Sequence, residues 1–171
     1  MTPVSPFTVS RVVDAPRPLV YLVHVDPVHI ARWYGPGGAT VLKAEMDLRP
    51  GGVHHYGLRT ADGTEMWGLQ TFKEVVHNER LVYVQAFSNP QRGLTRHPMA
   101  ATWPLQLLST VTFEDAPGGM TTITVSWCPY ESDAAGEATF DAARAGMAGG
   151  FDGMFANLER YLRENAATIG H

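Results

Sequence analysis

Among the residues able to do chemistry, the adjacent pair His54-His55 comes first, in the run Val53-His54-His55-Tyr56-Gly57-Leu58. Two neighbouring imidazoles suggest metal ligands, but side chains on a strand alternate between faces, so this pair cannot share one ion. Whichever ring faces inward is either a neutral core histidine or a ligand-orienting donor or general base near neutral pH. Cys128, between Trp127 and Pro129, lies off the alternating apolar face with no His nearby in sequence, which argues against a catalytic thiol. Glu45, Asp47, Glu65 and Glu74 occur on expected strands, but no spacing marks two of them as converging on a substrate. His24, His29, His77 and His97 fall in a turn between short helices or in polar loop-like stretches, and surface positions are expected for them. The chain contains no GxSxG elbow, P-loop, GxGxxG, HExxH or CxxC pattern, so phosphate, dinucleotide and zinc-protease chemistry lose most of their support. No metal and no cofactor are expected.

A second group of residues points to binding. Large side chains recur in different segments, and a cavity lined by aromatics with a few polar handles suits a small apolar or aromatic molecule. The expected ligand-binding set is His54, Tyr56, Trp67, Gln70, Gln85, Phe87, Trp103, Trp127, Met147, Phe151 and Met154. Each of these can equally serve as plain core. The stretch from Ser88 to Trp103, with Pro90, Gly93 and Pro98, is longer than a usual connection and reads as a lid or binding loop.

These side chains must be positioned by strands and helices that the patterning predicts. Odd positions from Leu105 to Phe113 are mostly apolar; the turn Asp115 to Gly119 follows, and then Thr121, Ile123, Val125 and Trp127 alternate with polar residues. That is an antiparallel hairpin. Similar runs cover Phe7–Val13, Thr40–Met46, Val53–Thr60, Thr64–Val75 (entered through Asp62-Gly63) and Arg80–Phe87, about seven strands in all. Short helices are expected from Pro16 to about Val25 and from Pro27 to Trp33, stopped by Gly35-Pro36. One long amphipathic helix is expected from about Ala134 to Arg163, with Phe140, Met147, Phe151, Met154, Leu158 and Tyr161 on its apolar side. Gly146, Gly149, Gly150 and Gly153 form a stripe of their own there, at a cost of roughly 1 kcal/mol each relative to Ala. Either the helix packs closely on the sheet at these points, or the missing side chains leave room for a ligand or let the helix flex.

The order of elements describes an α+β layer arrangement, an antiparallel sheet curling around one helix. At 171 residues the chain suits a single domain, expected over residues 7–163, with an N-terminal extension at 1–6 and a C-terminal tail at 164–171. A hydrophobic fraction of 44% and a charged fraction of 18% fit a packed or partly hollow interior. The net charge of −4 and the lack of a basic run argue against nucleic acid as a partner. Cys128, the single cysteine, allows no internal disulfide, the N-terminus lacks the pattern of a signal peptide, and no apolar run is long enough for a membrane span. A soluble cytoplasmic protein is the expectation.

Several short motifs fall in a recognisable order: Ala31-Arg32-Trp33-Tyr34-Gly35-Pro36, Leu48-Arg49-Pro50-Gly51-Gly52, Asp62-Gly63, Glu79-Arg80-Leu81-Val82, Thr102-Trp103-Pro104-Leu105, Ser109 to Phe113, and Gly149-Gly150-Phe151-Asp152-Gly153. From about Phe7 to Leu162 the chain resembles the bacterial branch of the family named after the activator of the heat-shock protein 90 ATPase, in the START-like (SRPBCC) superfamily. The resemblance implies a helix-grip fold, a curved antiparallel sheet of six to seven strands holding the C-terminal helix, with an elongated cavity between them. Members of the superfamily include lipid and hormone binders, aromatic polyketide cyclases, antibiotic-sequestering proteins and chaperone cofactors. The eukaryotic activator's separate chaperone-engaging domain is expected to be missing, since the first strand begins near residue 7. Two departures bear on the pocket: relatives often read Gly-Trp-Gly-Gly where this chain has Gly150-Phe151-Asp152-Gly153, and often have Gly at the position of Gln70. An aromatic usually stands at the position of His54, so the resemblance turns His54 inward with Tyr56 and Leu58, and His55 outward.

The resulting reading is a protein that binds a small hydrophobic or aromatic molecule between sheet and helix without covalent chemistry. Two alternatives are kept: a cyclase- or hydrolase-type enzyme with His54 as base and Tyr56 beside it, and a chaperone-related or stress-related protein-interaction module. A homodimer is compatible with the resemblance.

Overall fold

In a computed structural model, residues 4–169 are described; residues 1–3 and 170–171, parts of the expected extension and tail, lie outside them. The alternating runs form the strands expected of them. β1 (Phe7–Val13), β2 (Thr40–Met46), β3 (Val53–Arg59), β4 (Glu65–Val76), β5 (Arg80–Ser88), β7 (Leu107–Ala116) and β8 (Met120–Pro129) join one antiparallel sheet in the order β1-β8-β7-β5-β4-β3-β2. A two-residue strand that the patterning did not predict, β6 (Leu94–Thr95), pairs with the end of β5 and folds part of the Ser88–Trp103 stretch into a small hairpin.

Register places the apolar alternates on one face. Phe7 pairs with Trp127, Val9 with Val125, Val125 with Val111 and Val111 with Leu81, so a row of inward side chains runs across four strands. Because pleating alternates faces, this row and its neighbours at Phe113, Ile123, Tyr83 and Phe72 build the buried core.

The helices cover that face. Asp26 caps α2 (Pro27–Trp33) by accepting from the Val28 amide at 2.9 Å, and it directly follows α1 (Arg17–Val25). At the C-terminal end the expected single helix is in fact two, α3 (Ala134–Ala142) and α4 (Arg144–Ile169). The break falls at Ala143, whose φ of −93° and ψ of 3° leave the helical region. No proline or glycine marks it. At the break the Arg144 guanidinium reaches Asp141 at 2.7 Å and also donates to the carbonyls of Ser5 and Pro6 beside β1. α4 then runs past Arg163 to Ile169, through much of the stretch expected as tail.

The glycine stripe resolves in the same helix. A β-carbon added at Gly146, Gly149 or Gly150 would meet nothing within 4 Å, so close packing does not explain these three. At Gly153 it does, since a β-carbon there would stand 3.2 Å from the Gly37 amide nitrogen. Gly149→Ala should therefore stabilise the protein by about 0.5–1 kcal/mol, read as a rise in the denaturant midpoint at unchanged slope. A fall in the midpoint would show that the open space is needed in the folded state.

Candidate functional site

Between the curved sheet and α4 lies a cavity of about 320 Å³. Its floor is the inward row of strands: Leu107 and Val111 from β7, Val125 and Trp127 from β8, Tyr83, Gln85 and Phe87 from β5. One side is closed by Tyr56 and Leu58 of β3 with Tyr34 after α2, and the roof by Met147, Phe151, Met154 and Phe155 of α4. Trp103, Pro104 and Leu105 from the long connection complete the wall. Aromatic contacts fix the roof: Phe151 lies 4.8 Å from the Trp127 ring centroid in an edge contact and 6.0 Å from Phe7.

Of the eleven residues expected at the site, eight stand at this wall as the patterning suggests: Tyr56, Gln85, Phe87, Trp103, Trp127, Met147, Phe151 and Met154. Trp67 also borders the cavity, yet its ring packs over Gly57 and 5.4 Å from the His55 ring, on the sheet's other face. His54 and Gln70 do not border it. They lie one layer behind, buried, with His54 Nδ1 donating to Gln70 Oε1 at 2.8 Å and Gln70 Nε2 donating to the Tyr34 hydroxyl at 2.9 Å. The His54 ring faces the sheet's inner side as the resemblance implied, but Tyr34 and Tyr56 occupy the space between it and the void, at 5.6 and 5.0 Å. A general base at His54 would have no path to a ligand in this arrangement.

His55 sits on the outer face, as the resemblance implied, and is 0% exposed there, because the β5–β6 turn folds over it and its Nε2 donates to the Asn89 carbonyl at 3.1 Å.

The site residue that sequence reasoning missed most plainly is His24. Expected at the surface, it borders the cavity from α1, with edge contacts to Trp33 and Phe113. Its Nδ1 donates to the Val20 carbonyl at 2.7 Å, which fixes the hydrogen on that nitrogen and leaves Nε2 as an acceptor. Helix periodicity carried no signal for it, since a nine-residue helix gives only two turns to read. His97, partly buried between Phe87 and Trp103, is likewise inside the loop's aromatic packing, while His77 is exposed as expected. His29 is partly buried, its Nδ1 hydrogen-bonded to the Tyr161 hydroxyl at 2.7 Å.

The electrostatics of the wall are uniform. No Asp, Glu, Lys or Arg borders the cavity. Burial pushes the pKa of His24 and of His54 down to about 4, so both rings are neutral at pH 7. Burial raises the phenols of Tyr34, Tyr56 and Tyr83, which keeps all three protonated. The strand carboxylates lie elsewhere, in exposed pairs: Glu45 with Arg92 and Lys43, Asp47 with Arg49, Glu65 with Arg59, and Glu74 with Arg80. Burial raises the Cys128 thiol as well, the opposite of an activated nucleophile. Among the described residues no group of three His, Cys, Asp or Glu could hold a metal ion, and no helix is long and apolar enough to cross a membrane.

Comparison with known proteins follows the same lines. The family described as activator of Hsp90 ATPase homolog 1-like protein matches residues 14–163. Among solved structures, a protein from Nitrosomonas europaea superposes with a TM-score of 0.75 at 18% identity, over 98% of this chain and 99% of that one. One from Mycobacterium smegmatis gives 0.74 at 19% identity, over 93% and 91%. A third, from Arthrobacter aurescens, gives 0.73 at 23% identity, over 95% and 88%. At these identities the likeness is one of fold. No curated protein matches the chain.

Proposed function

We propose, from the premise that the chain belongs to the activator of Hsp90 ATPase homolog 1-like family and has its helix-grip fold, that it binds a small uncharged hydrophobic molecule between sheet and α4 without covalent chemistry. The observation that carries this reading is the cavity itself. Its wall is aromatic and aliphatic, its few polar groups are neutral, and no nucleophile, activated base or ion-pairing residue stands at it. Apolar burial at roughly 25 cal/mol per Å² then supplies the affinity. At about 320 Å³ the void lies at the small end of the range that ligand pockets span and suits a small molecule.

The enzyme alternative loses its base, since His54 lies behind the wall. The protein-interaction alternative is weighed by the same experiment. Purified protein is screened by thermal shift against fatty acids, sterols, flavonoids and small neutral aromatics, beside the variant Gly150→Leu. Gly150 borders the cavity and has open space where a side chain would go, so leucine there should occupy the mouth of the void while improving helix propensity. A ligand at 100 times its Kd stabilises by about 2.7 kcal/mol, a shift of roughly 5–10 °C for a domain of this size. The expected result is such a shift for neutral aromatics in the parent protein and its loss in Gly150→Leu. Flat curves for every compound would remove the small-molecule reading and leave a protein partner, to be sought by pull-down.

A further inference from the structure

The cavity reaches the surface at three of its residues: Pro36 before β2, Leu105 in the connection from β5 to β7, and Gly150 on α4. The first and last of these rims are fastened to each other. The Asn157 amide of α4 donates to the Gly35 and Pro36 carbonyls at 3.0 and 3.3 Å, and Gly153 lets the helix lie directly against Gly37. The remaining rim is fastened to neither. Among the described residues, no hydrogen bond or ion pair joins residues 89–106 to α4 or to the turn at Pro36.

Much of what holds the connection lies on the far face of the sheet. The β5–β6 hairpin folds over that face and is tied there twice: His55 Nε2 donates to the Asn89 carbonyl at 3.1 Å, and the Arg92 guanidinium donates to the Glu45 carboxylate at 2.7 Å. His55 and Glu45 stand opposite each other in register on β3 and β2, so both ties end at one place. The Arg92–Glu45 pair is about half exposed on each side and Glu45 shares it with Lys43, so salt weakens it. Arg92 also holds a φ of 70°, which a residue with a β-carbon rarely adopts.

Three polar atoms on this face oppose those ties. His55 Nδ1, the Trp67 indole nitrogen and Ser88 Oγ are buried with no partner, Trp67 lying over Gly57 beside His55 and Ser88 pairing with Leu94 of the hairpin. Lifting the hairpin lets water reach them, so their hydration favours the lifted state. The movement has a path to the cavity. His97, two residues beyond β6, stands 5.0 Å from Phe87 and 5.7 Å from Trp103, and both of those rings border the void.

We propose that the β5–β6 hairpin is a latch: it lifts from the outer face of the sheet in the native protein, and through His97 this moves the Trp103–Leu105 rim and widens the mouth while α4 stays in place. The proposal rests on the reading of the cavity as a small-molecule site and adds how that site is entered.

Two measurements separate the latch from the site. Amide hydrogen exchange of the unliganded protein, followed by mass spectrometry, reads the hairpin alone. Stopped-flow fluorescence with 1-aminoanthracene, an uncharged aromatic probe, reads entry and release. Residues 88–96 should exchange about tenfold or more faster than residues 147–162, and about 0.5 M NaCl should speed the first group only. Arg92→Ala removes a tie and should raise the association and dissociation rates of the probe together, by about threefold. Ser88→Ala removes an unpartnered atom and should lower both rates by about as much or more. Kd should stay within about twofold in both variants, because a minor open state speeds entry and exit alike. Neither residue borders the cavity, so a merely structural role would not give opposite changes in rate at constant Kd. Exchange in residues 88–96 as slow as in α4, probe rates unchanged in both variants, or a changed Kd in place of changed rates would each overturn the latch while leaving the cavity reading intact. Failure of the parent protein to bind 1-aminoanthracene or any compound of the thermal-shift screen would overturn the cavity reading and the entrance with it.

Discussion

Phe151→Ala should lower the unfolding free energy by about 3–5 kcal/mol and at the same time widen the range of ligands accepted. The ring is 7% exposed, stacked on Phe7 and edge-on to Trp127 and next to Phe155, so its loss removes buried apolar area and three aromatic contacts together. It also forms part of the cavity roof, so the space it vacates joins an existing void instead of closing a small isolated one. A collapse that heals the gap is hindered, because α4 is held by Gly153 against the Gly37 backbone and by the Asn157 amide, which donates to the Gly35 carbonyl at 3.0 Å. Urea unfolding gives the stability, and a thermal-shift series of ligands graded by size gives the pocket. A loss below 1 kcal/mol, or no gain in acceptance of larger rings, would show that the ring does not set the roof. Phe151→Trp should move acceptance the opposite way, toward smaller ligands.

Acid should destabilise the fold well above the range in which carboxylates titrate. His24 and His54 take up a proton at about 4 in the folded protein and near 6.5 in an unfolded chain, since burial opposes the charged ring. Between those values the unfolded state binds more protons, so stability is complete above pH 6.5 and is lost as pH falls toward 4. Each ring contributes about 1.4 kcal/mol per pH unit in that window, on the order of 3 kcal/mol per ring. Guanidinium unfolding from pH 7.5 to pH 5 measures the slope above the range in which free carboxylates titrate. His24→Phe and His54→Phe should each remove about half of it, and the ring resonances of His24 and His54 should stay neutral-like at pH 5.5. Stability that is level from pH 7 to pH 5 would contradict the burial of these rings as neutral groups.

Strands were the most legible part of this chain, because alternation every second residue is a strong local signal and the turns at Gly51-Gly52, Asp62-Gly63 and Gly118-Gly119 mark ends of β2, β3, β4, β7 and β8. Gly63 and Gly118 show why those turns could be read: their φ values of 90° and 82° belong to a region that side chains with a β-carbon avoid. The division of the C-terminal helix at Ala143 was not legible, because no proline or glycine marks it and the contacts of Arg144 beside it are with Ser5 and Pro6, residues far away in sequence. For the site, the inward phase of β5, β7 and β8 could be read directly, and with it Gln85, Phe87 and Trp127. Depth could not. Which of His54, Gln70 and Tyr56 reaches the void depends on how Tyr34 folds back after α2, and no periodicity records that. His24 escaped because a polar residue in a short helix resembles a surface residue until Trp33 and Phe113 close around it.

The pairing of β1 with β8 has a consequence in time as well as in space. Phe7 finds its partner in Trp127 and Val13 in Thr121, so the first strand to leave a ribosome has nothing to pair with until more than a hundred further residues have been made. Long-range closures of this kind are slow, and an unpaired strand with Val9 and Val12 along it is open to the wrong neighbour while it waits. Meanwhile the meander from β2 through β5 can form as each hairpin emerges. The sheet is thus assembled from its β2 edge toward the other, and its oldest strand is its last.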